Sequence, residues 1–139
     1  MSVSIEDNSP HLIVIGGTSG IGLALALHHR QLGWQVTIVG SNKTKIVNLN
    51  LEYPDIKTYR CDLTDIAQCQ RLIKEWSNVN FERLIYSAGS YTNERVHKLN
   101  QADSEQMLAI NLQAFQEIFS WASQQLKNQI VNKDNQLAY

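Results

Sequence analysis

Apolar positions along the chain fall into two alternating patterns. Short runs of branched aliphatic residues are separated by longer stretches in which apolar residues recur at helical spacing. That alternation predicts strand–helix units and a parallel sheet with crossover helices. His11 to Gly16 is a continuous apolar run, the pattern of a strand covered on both faces. Gly20 to Leu32 reads as a helix, apolar nearly all round, with Gly33 at its C-terminal cap. Gln35 to Val39 predicts a second strand, and Lys43 to Glu52 a weaker helix halted before Pro54. Ile56 to Cys61 reads as the third strand. Thr64 is the predicted N-cap of a helix marked by Ile66, Cys69, Leu72, Ile73 and Trp76. Phe81 to Ala88 is the fourth strand, and Asp103 with Gln106 resembles a capping box opening a long helix to about Leu126. Residues 128–139 are polar and aperiodic, so a loosely ordered tail is expected; Ile130-Val131 offers at most the start of a fifth strand.

The chemistry concentrates where the first strand meets the first helix. Gly16-Gly17-Thr18-Ser19-Gly20-Ile21-Gly22 runs straight into that helix. Glycines there allow a tight turn and a close backbone approach to phosphate, and the helix N-terminus behind them carries partial positive charge. The spacing Gly16-x-x-x-Gly20-x-Gly22 differs from the commonest dinucleotide fingerprint. Its strand–loop–helix context is nevertheless the one that such a site requires. The second strand then ends in Val39-Gly40-Ser41-Asn42-Lys43, and no acidic residue occurs between Asp7 and Glu52. An NAD site usually places a carboxylate about 20 residues past the loop, on the ribose 2′-hydroxyl. A 2′-phosphate would here meet Ser41, Asn42 and Lys43 without a repelling charge, so NADP is favoured over NAD.

Composition narrows the class further. The chain has 139 residues, enough for one domain, with twelve Lys and Arg against thirteen Asp and Glu. That balance argues against nucleic-acid binding, which normally shows a basic face. No apolar run is long enough to span a membrane. The first ten residues carry Glu6 and Asp7 and no apolar segment, so no signal peptide is expected. Cys61 and Cys69 cannot form a disulfide framework and read as reduced thiols of a cytoplasmic protein. His28 and His29 are expected on the surface of the first helix, without metal spacing. Trp34, Trp76 and Trp121 are read as core or interface residues.

From about His11 to Leu126 the chain resembles the N-terminal half of the short-chain dehydrogenase/reductase family. The residues that carry the resemblance are Gly16-x-x-x-Gly20-Ile21-Gly22, Cys61-Asp62-Leu63-Thr64-Asp65, Ser87-Ala88-Gly89 and Ile110-Asn111-Leu112. Ile15 stands where the family usually has threonine, and Ser87 where it has asparagine. The resemblance implies a Rossmann-like three-layer α/β fold with a mainly parallel sheet in the order 3-2-1-4, cut off after the fourth βα unit. Residues 1–10 would be an extension, 11–127 the nucleotide-binding domain and 128–139 the tail. It also implies that Asp62 accepts from the adenine amino group, that Leu63 lines the adenine pocket, and that Asn111 is the helical asparagine of the catalytic machinery.

The implied activity is hydride transfer between NADP(H) and a carbonyl or alcohol. The family's catalytic serine and Tyr-x-x-x-Lys have no counterpart here. No serine follows Ser123, and Lys133-Asp134-Asn135 follows Gln129 to Asn132, where the family's fifth strand would begin. Tyr53 with Lys57 spans Pro54 on the wrong side of the sheet, and Tyr91 with Arg95 reads as a surface pair. Turnover by this chain is therefore doubtful. A non-catalytic nucleotide- or partner-binding module and a truncated gene product remain the alternatives. The helix over 103–126 carries Leu108, Leu112, Phe115, Ile118, Phe119 and Ala122, more than one sheet face can cover. Self-association, or pairing with a full-length relative through this helix, is expected.

Overall fold

Successive residues of a strand face opposite sides of a sheet, so the unbroken apolar run at residues 11–15 is satisfied only by burial on both sides. The computed structural model, which describes residues 9–88 and 101–137, meets that demand with three layers. The elements in chain order are β1 (His11–Ile15), α1 (Gly20–Gln31), β2 (Gln35–Gly40), α2 (Lys43–Glu52), β3 (Lys57–Arg60), α3 (Ile66–Glu75), β4 (Arg83–Tyr86) and α4 (Gln101–Leu137). The strands lie in the order β3-β2-β1-β4, and every pairing is parallel. The implied Rossmann-like topology is the one found.

β1 shows why the layers form. Leu12 and Val14 join Val36, Ile38, Ala26 of α1 and Leu49 of α2 on one face. Ile13 and Ile15 join Val39, Leu72 and Trp76 from the α3 side, and Ala114, Ile118 and Ala122 of α4, on the other. All four β1 residues from Leu12 to Ile15 are fully buried. Burying a side chain of this size contributes roughly 1.5–3 kcal/mol, so the central strand is also the energetic centre. Away from the strand ends that carry the glycine loop, the His11 imidazole bridges the Thr37 hydroxyl (2.7 Å) and the Asn80 carbonyl (2.8 Å), tying β1 to β2 and to the approach to β4.

Several expectations from sequence are corrected. The N-cap of α3 is Asp65, whose carboxylate accepts from the Ala67 and Gln68 amides; Thr64 turns back to Asp62 instead. α4 is already helical at Gln101, so Asp103 is not its N-cap. Residues 128–137 continue α4 and form neither a loose tail nor the start of a strand. Nothing between Gln101 and Leu137 is Gly or Pro, and the segment is rich in Gln, Lys, Leu and Ala, so no local signal stops the helix. Two glutamines also hold it down. Gln125 Nε2 donates to the Ser77 and Val79 carbonyls, while Gln129 accepts from the Phe81 amide (3.0 Å) and donates to the Phe81 carbonyl (2.8 Å).

His29 is the other correction: it is buried beneath α1, whereas His28 is exposed. Its Nε2 lies 2.7 Å from an Arg83 terminal nitrogen and its Nδ1 2.7 Å from the Leu25 carbonyl. A guanidinium can only donate, so Nε2 is the acceptor and Nδ1 carries the proton. Arg83 also lies over the Trp34 ring, which meets His29 edge to face. This histidine therefore joins α1 to β4.

Along α4, the Ala114–Ile118–Ala122 ridge is buried, but Leu108, Leu112 and Phe119 are more than half exposed, and Phe115 stacks on Phe119. No helix among the described residues is long and apolar enough to cross a membrane.

The Gln129 clamp gives a direct test of the extended helix. Removing a side chain that satisfies a part-buried amide and carbonyl costs about 1–3 kcal/mol. Gln129→Ala is expected to lower the urea midpoint accordingly with an unchanged slope. A loss below about 0.5 kcal/mol, the range of an ordinary surface substitution, would mean the end of α4 is not docked.

Candidate nucleotide site

The loop from Gly16 to Gly22 is shaped by close approaches that only glycine permits. At Gly16 φ is +86°, and a Cβ there would lie 2.6 Å from the Ala88 amide nitrogen. The loop therefore sits against the turn after β4. At Gly22 a Cβ would lie 2.5 Å from the Gly16 carbonyl oxygen, so the first turn of α1 rests on the start of its own loop. Thr18 fills the remaining gap: its Cγ2 would be 2.4 Å from a Cβ at Gly40, which explains a glycine at the end of β2. The Gly16 and Gly17 amides both donate to the Val39 carbonyl (2.8 and 3.3 Å), and the Ser87 amide donates to the Ile15 carbonyl (2.8 Å). The carboxyl ends of β1, β2 and β4 are thus joined around one loop.

Behind that loop α1 begins at Gly20 with Ser19 as its N-cap. The Ser19 side chain makes no cap hydrogen bond, and the first turn contains no acidic residue. The first amides of a helix have no intrahelical acceptor, and with the helix dipole they favour an anion. They border a cleft of about 530 Å³ at the point where strand order reverses between β1 and β4. In open α/β sheets that is where ligands bind.

Twelve of the residues singled out in the sequence line this cleft. They are Gly16, Thr18, Ser19, Gly20 and Ile21 of the loop, Ser41 and Asn42 after β2, Asp62 and Leu63 after β3, Ser87 and Ala88 after β4, and Asn111 of α4. Gly22 lies behind the loop and acts through packing. Gly89 lies outside the described residues. Lys43 does not line the cleft, but Lys45 does. Asn42 caps α2 by accepting from the Lys45 amide (3.0 Å), which makes Lys45 the third helical residue. Helical side chains lean toward the N-terminus, so a cation one turn in covers the mouth of the helix better than one at its first position. Locating the cap at Asn42 in the sequence would have pointed to Lys45.

Asp62 is held in place by its neighbours. Its Oδ1 accepts from the Thr64 amide (3.0 Å) and hydroxyl (2.6 Å), and its own amide donates to Gln68 Oε1 (2.9 Å). The Thr64 bonds, helped by the charge of Arg60, hold the carboxyl below the usual carboxylate range. Its Oδ2 makes no hydrogen bond to the described residues, leaving an ionised acceptor beside the cleft. Cys61 also borders the cleft, but burial and the neighbouring Cys69 push its thiol up to about 12, so it is no nucleophile at neutral pH.

The comparisons with known proteins agree with this geometry. A family model described as short chain dehydrogenase matches residues 10–133, and the chain belongs to that family. It is 32% identical over 103 residues to the 3-oxoacyl-[acyl-carrier-protein] reductase FabG of Rickettsia prowazekii (strain Madrid E), covering 73% of this chain and 42% of that protein. It is 34% identical over 82 residues to the uncharacterized oxidoreductase DltE of Bacillus subtilis (strain 168), covering 56% of this chain and 32% of that one. Among solved structures, a short-chain dehydrogenase from Streptomyces avermitilis matches with TM-score 0.75 at 16% identity, covering 89% of this chain and 47% of the other. One from Sphingobium yanoikuyae in complex with NADPH matches with TM-score 0.68 at 19% identity, covering 81% and 46%. These likenesses show the fold. The chain spans less than half the length of each relative.

Two substitutions test the site. Gly22→Ala drives a Cβ into the Gly16 carbonyl and is expected to abolish nucleotide binding. Gly20→Ala meets open space at φ +60° and is expected to cost only about 1–2 kcal/mol of stability. Equal effects on binding would contradict the packing described. For Asp62, a depressed folded pKa adds stability above the unfolded value of about 3.9 that is lost as pH falls through the folded one. Thr64→Val is expected to move the Asp62 titration up toward the ordinary range, followed by carboxyl-carbon NMR.

Proposed function

We propose that this chain binds NADP(H) in the cleft and forms the cofactor half of an oxidoreductase acting on a carbonyl/alcohol pair. The observation that carries this reading is the glycine cradle. A backbone loop that a Cβ at Gly16 or Gly22 would fill lies beside an uncapped helix start with no acidic first turn. A dinucleotide pyrophosphate fits those amides, with the Ser19 hydroxyl as a further donor. Asp62 would accept from the adenine amino group, Leu63 would line the ring's pocket, and Ser87-Ala88-Gly89 and Asn111 would border the nicotinamide half. Ser41, Asn42 and Lys45 would meet the ribose 2′-phosphate, and the absence of a carboxylate there supports NADP over NAD. When bound, the cofactor supplies or accepts a hydride. Asn111 is by resemblance a positioning residue for a catalytic lysine that these 139 residues do not contain. The two unpaired, buried cysteines support a reducing compartment, hence the cytoplasm.

A second reading rests on α4. The segment where a fifth strand would begin is helical, and the face bearing Leu112 and Phe119 is exposed. That favours a module that binds nucleotide and associates through α4, with a second copy or a full-length relative, without turnover. Light scattering at high micromolar concentration is expected to show species above the mass of one chain. Leu112→Glu with Phe119→Glu should return a monomer, and a clean monomer in the parent would contradict this reading.

Titration with NADPH, read by energy transfer from the tryptophans to the nicotinamide, tests the main proposal. Saturable binding, tighter than for NADH, is expected. Equal or tighter NADH binding would overturn the choice of NADP. No binding by a chain that melts cooperatively would overturn the cofactor reading.

A further inference from the structure

We propose that Arg60 is a specificity-determining residue for the adenosine 2′-phosphate, reaching that group from β3 instead of from the turn after β2; the inference rests on the NADP(H) reading above. Arg60 is the last residue of β3 and pairs in register with Gly40, the last residue of β2. Parallel pairing therefore brings its side chain to the strand ends that border the cleft. There its Nε donates to the Ser41 carbonyl at 3.2 Å. Ser41 itself lines the cleft, as do Asn42 and Lys45 beyond it.

That bond anchors the guanidinium at Nε and leaves most of its capacity unused. A guanidinium has five donors, and only Nε is engaged. The two terminal nitrogens make no hydrogen bond or ion pair with the described residues, among which Arg30–Asp55 is the ion pair seen. Asp62 feels the charge of Arg60, which helps to depress its pKa, but the two are not joined as a pair. Arg60 does not itself line the cleft; it borders a second, open groove of about 320 Å³ with Gln68, Arg71 and Glu75, and reaches the cleft through the Ser41 carbonyl. Arg71 adds positive potential at this edge of the sheet, and among the described residues no carboxylate, Glu75 included, forms an ion pair with either arginine. A guanidinium held on the carbonyl of a residue that lines the anion cleft, with its fork free, suits a phosphate, which takes two parallel donors. Lys45 then contributes a point charge and the start of α2 contributes amides.

This division of labour explains a feature of the sequence that the β2–α2 turn alone does not. Ser41 and Asn42 are neutral, and the Asn42 carbonyl oxygen is occupied by its own helix cap. The cation that can grip a 2′-phosphate with a fork is supplied by the neighbouring strand. A merely structural arginine strap would act on the fold and on every nucleotide alike. A specificity residue acts only on the ligand that carries the extra phosphate.

Calorimetric titration of the full chain with 2′,5′-ADP and with 5′-AMP, which differ only in the 2′-phosphate, separates these cases. The parent is expected to bind 2′,5′-ADP more tightly. Arg60→Ala is expected to weaken 2′,5′-ADP roughly tenfold to a hundredfold, as for loss of a charge-assisted pair. Binding of 5′-AMP should stay within about twofold, the effect of a few tenths of a kcal/mol. Arg60→Lys should recover part of the difference. Arg60→Gln, which can still donate to the Ser41 carbonyl, should match Arg60→Ala in binding and the parent in its melt, so it serves if Arg60→Ala does not fold. Equal weakening of both nucleotides, or of neither, would overturn the role of Arg60 while leaving the NADP(H) reading intact. A parent chain with no preference for 2′,5′-ADP would overturn both.

Discussion

Everything in this fold hangs on β1 being paired on both edges and covered on both faces. Parallel strands joined by crossover helices must carry those helices above and below the sheet. The chain places α1 and α2 on one face and α3 and α4 on the other. β2 and β3 are added to one side of β1 and β4 to the other, and α1, which follows β1, and α4, which follows β4 in the chain, lie on opposite faces. The crevice at the carboxyl ends of β1 and β4 follows from that divergence and needs no residue of its own to open it.

What the sequence adds is the lining. Three glycines, at 16, 22 and 40, sit where a Cβ would strike Ala88, the Gly16 carbonyl and Thr18. The glycine loop is therefore a packed element, clamped between two neighbouring strand ends. Its stiffness matters for binding, since an anion site made of backbone amides works only when those amides are already aimed. The Asp62–Thr64–Gln68 hydrogen bonds hold the β3 side of the cleft in the same way.

Strand and helix identities, their order and most residues that line the cleft were legible because each rests on a local pattern. Examples are the apolar runs of β1 and β2, the glycine spacing, and the Cys61-Asp62-Leu63 turn. Most of the failures share a physical origin, a contact distant in sequence, and one turns on local loop geometry. His29 looks like a surface histidine on α1 until Arg83, from β4, arrives to donate to it. Residues 128–137 look aperiodic because Gln125 and Gln129 dock through side-chain amides, which hydrophobic periodicity does not register. Thr64 and Asp65 are both good caps, and only the loop geometry around Asp62 decides between them. Arg60 escaped notice because its relation to Ser41 exists only through the β2–β3 register.

Where a nicotinamide dinucleotide sits on this chain is read most directly from the amide spectrum of the isotope-labelled protein as NADPH is added. The cleft predicts that the largest shifts fall in the loop from Gly16 to Gly22, at Gly40–Asn42, at Asp62–Thr64 and at Ser87–Ala88, with the His11 end of the sheet unmoved. Shifts concentrated on the exposed face of α4, or around His11 and Thr37, would contradict it.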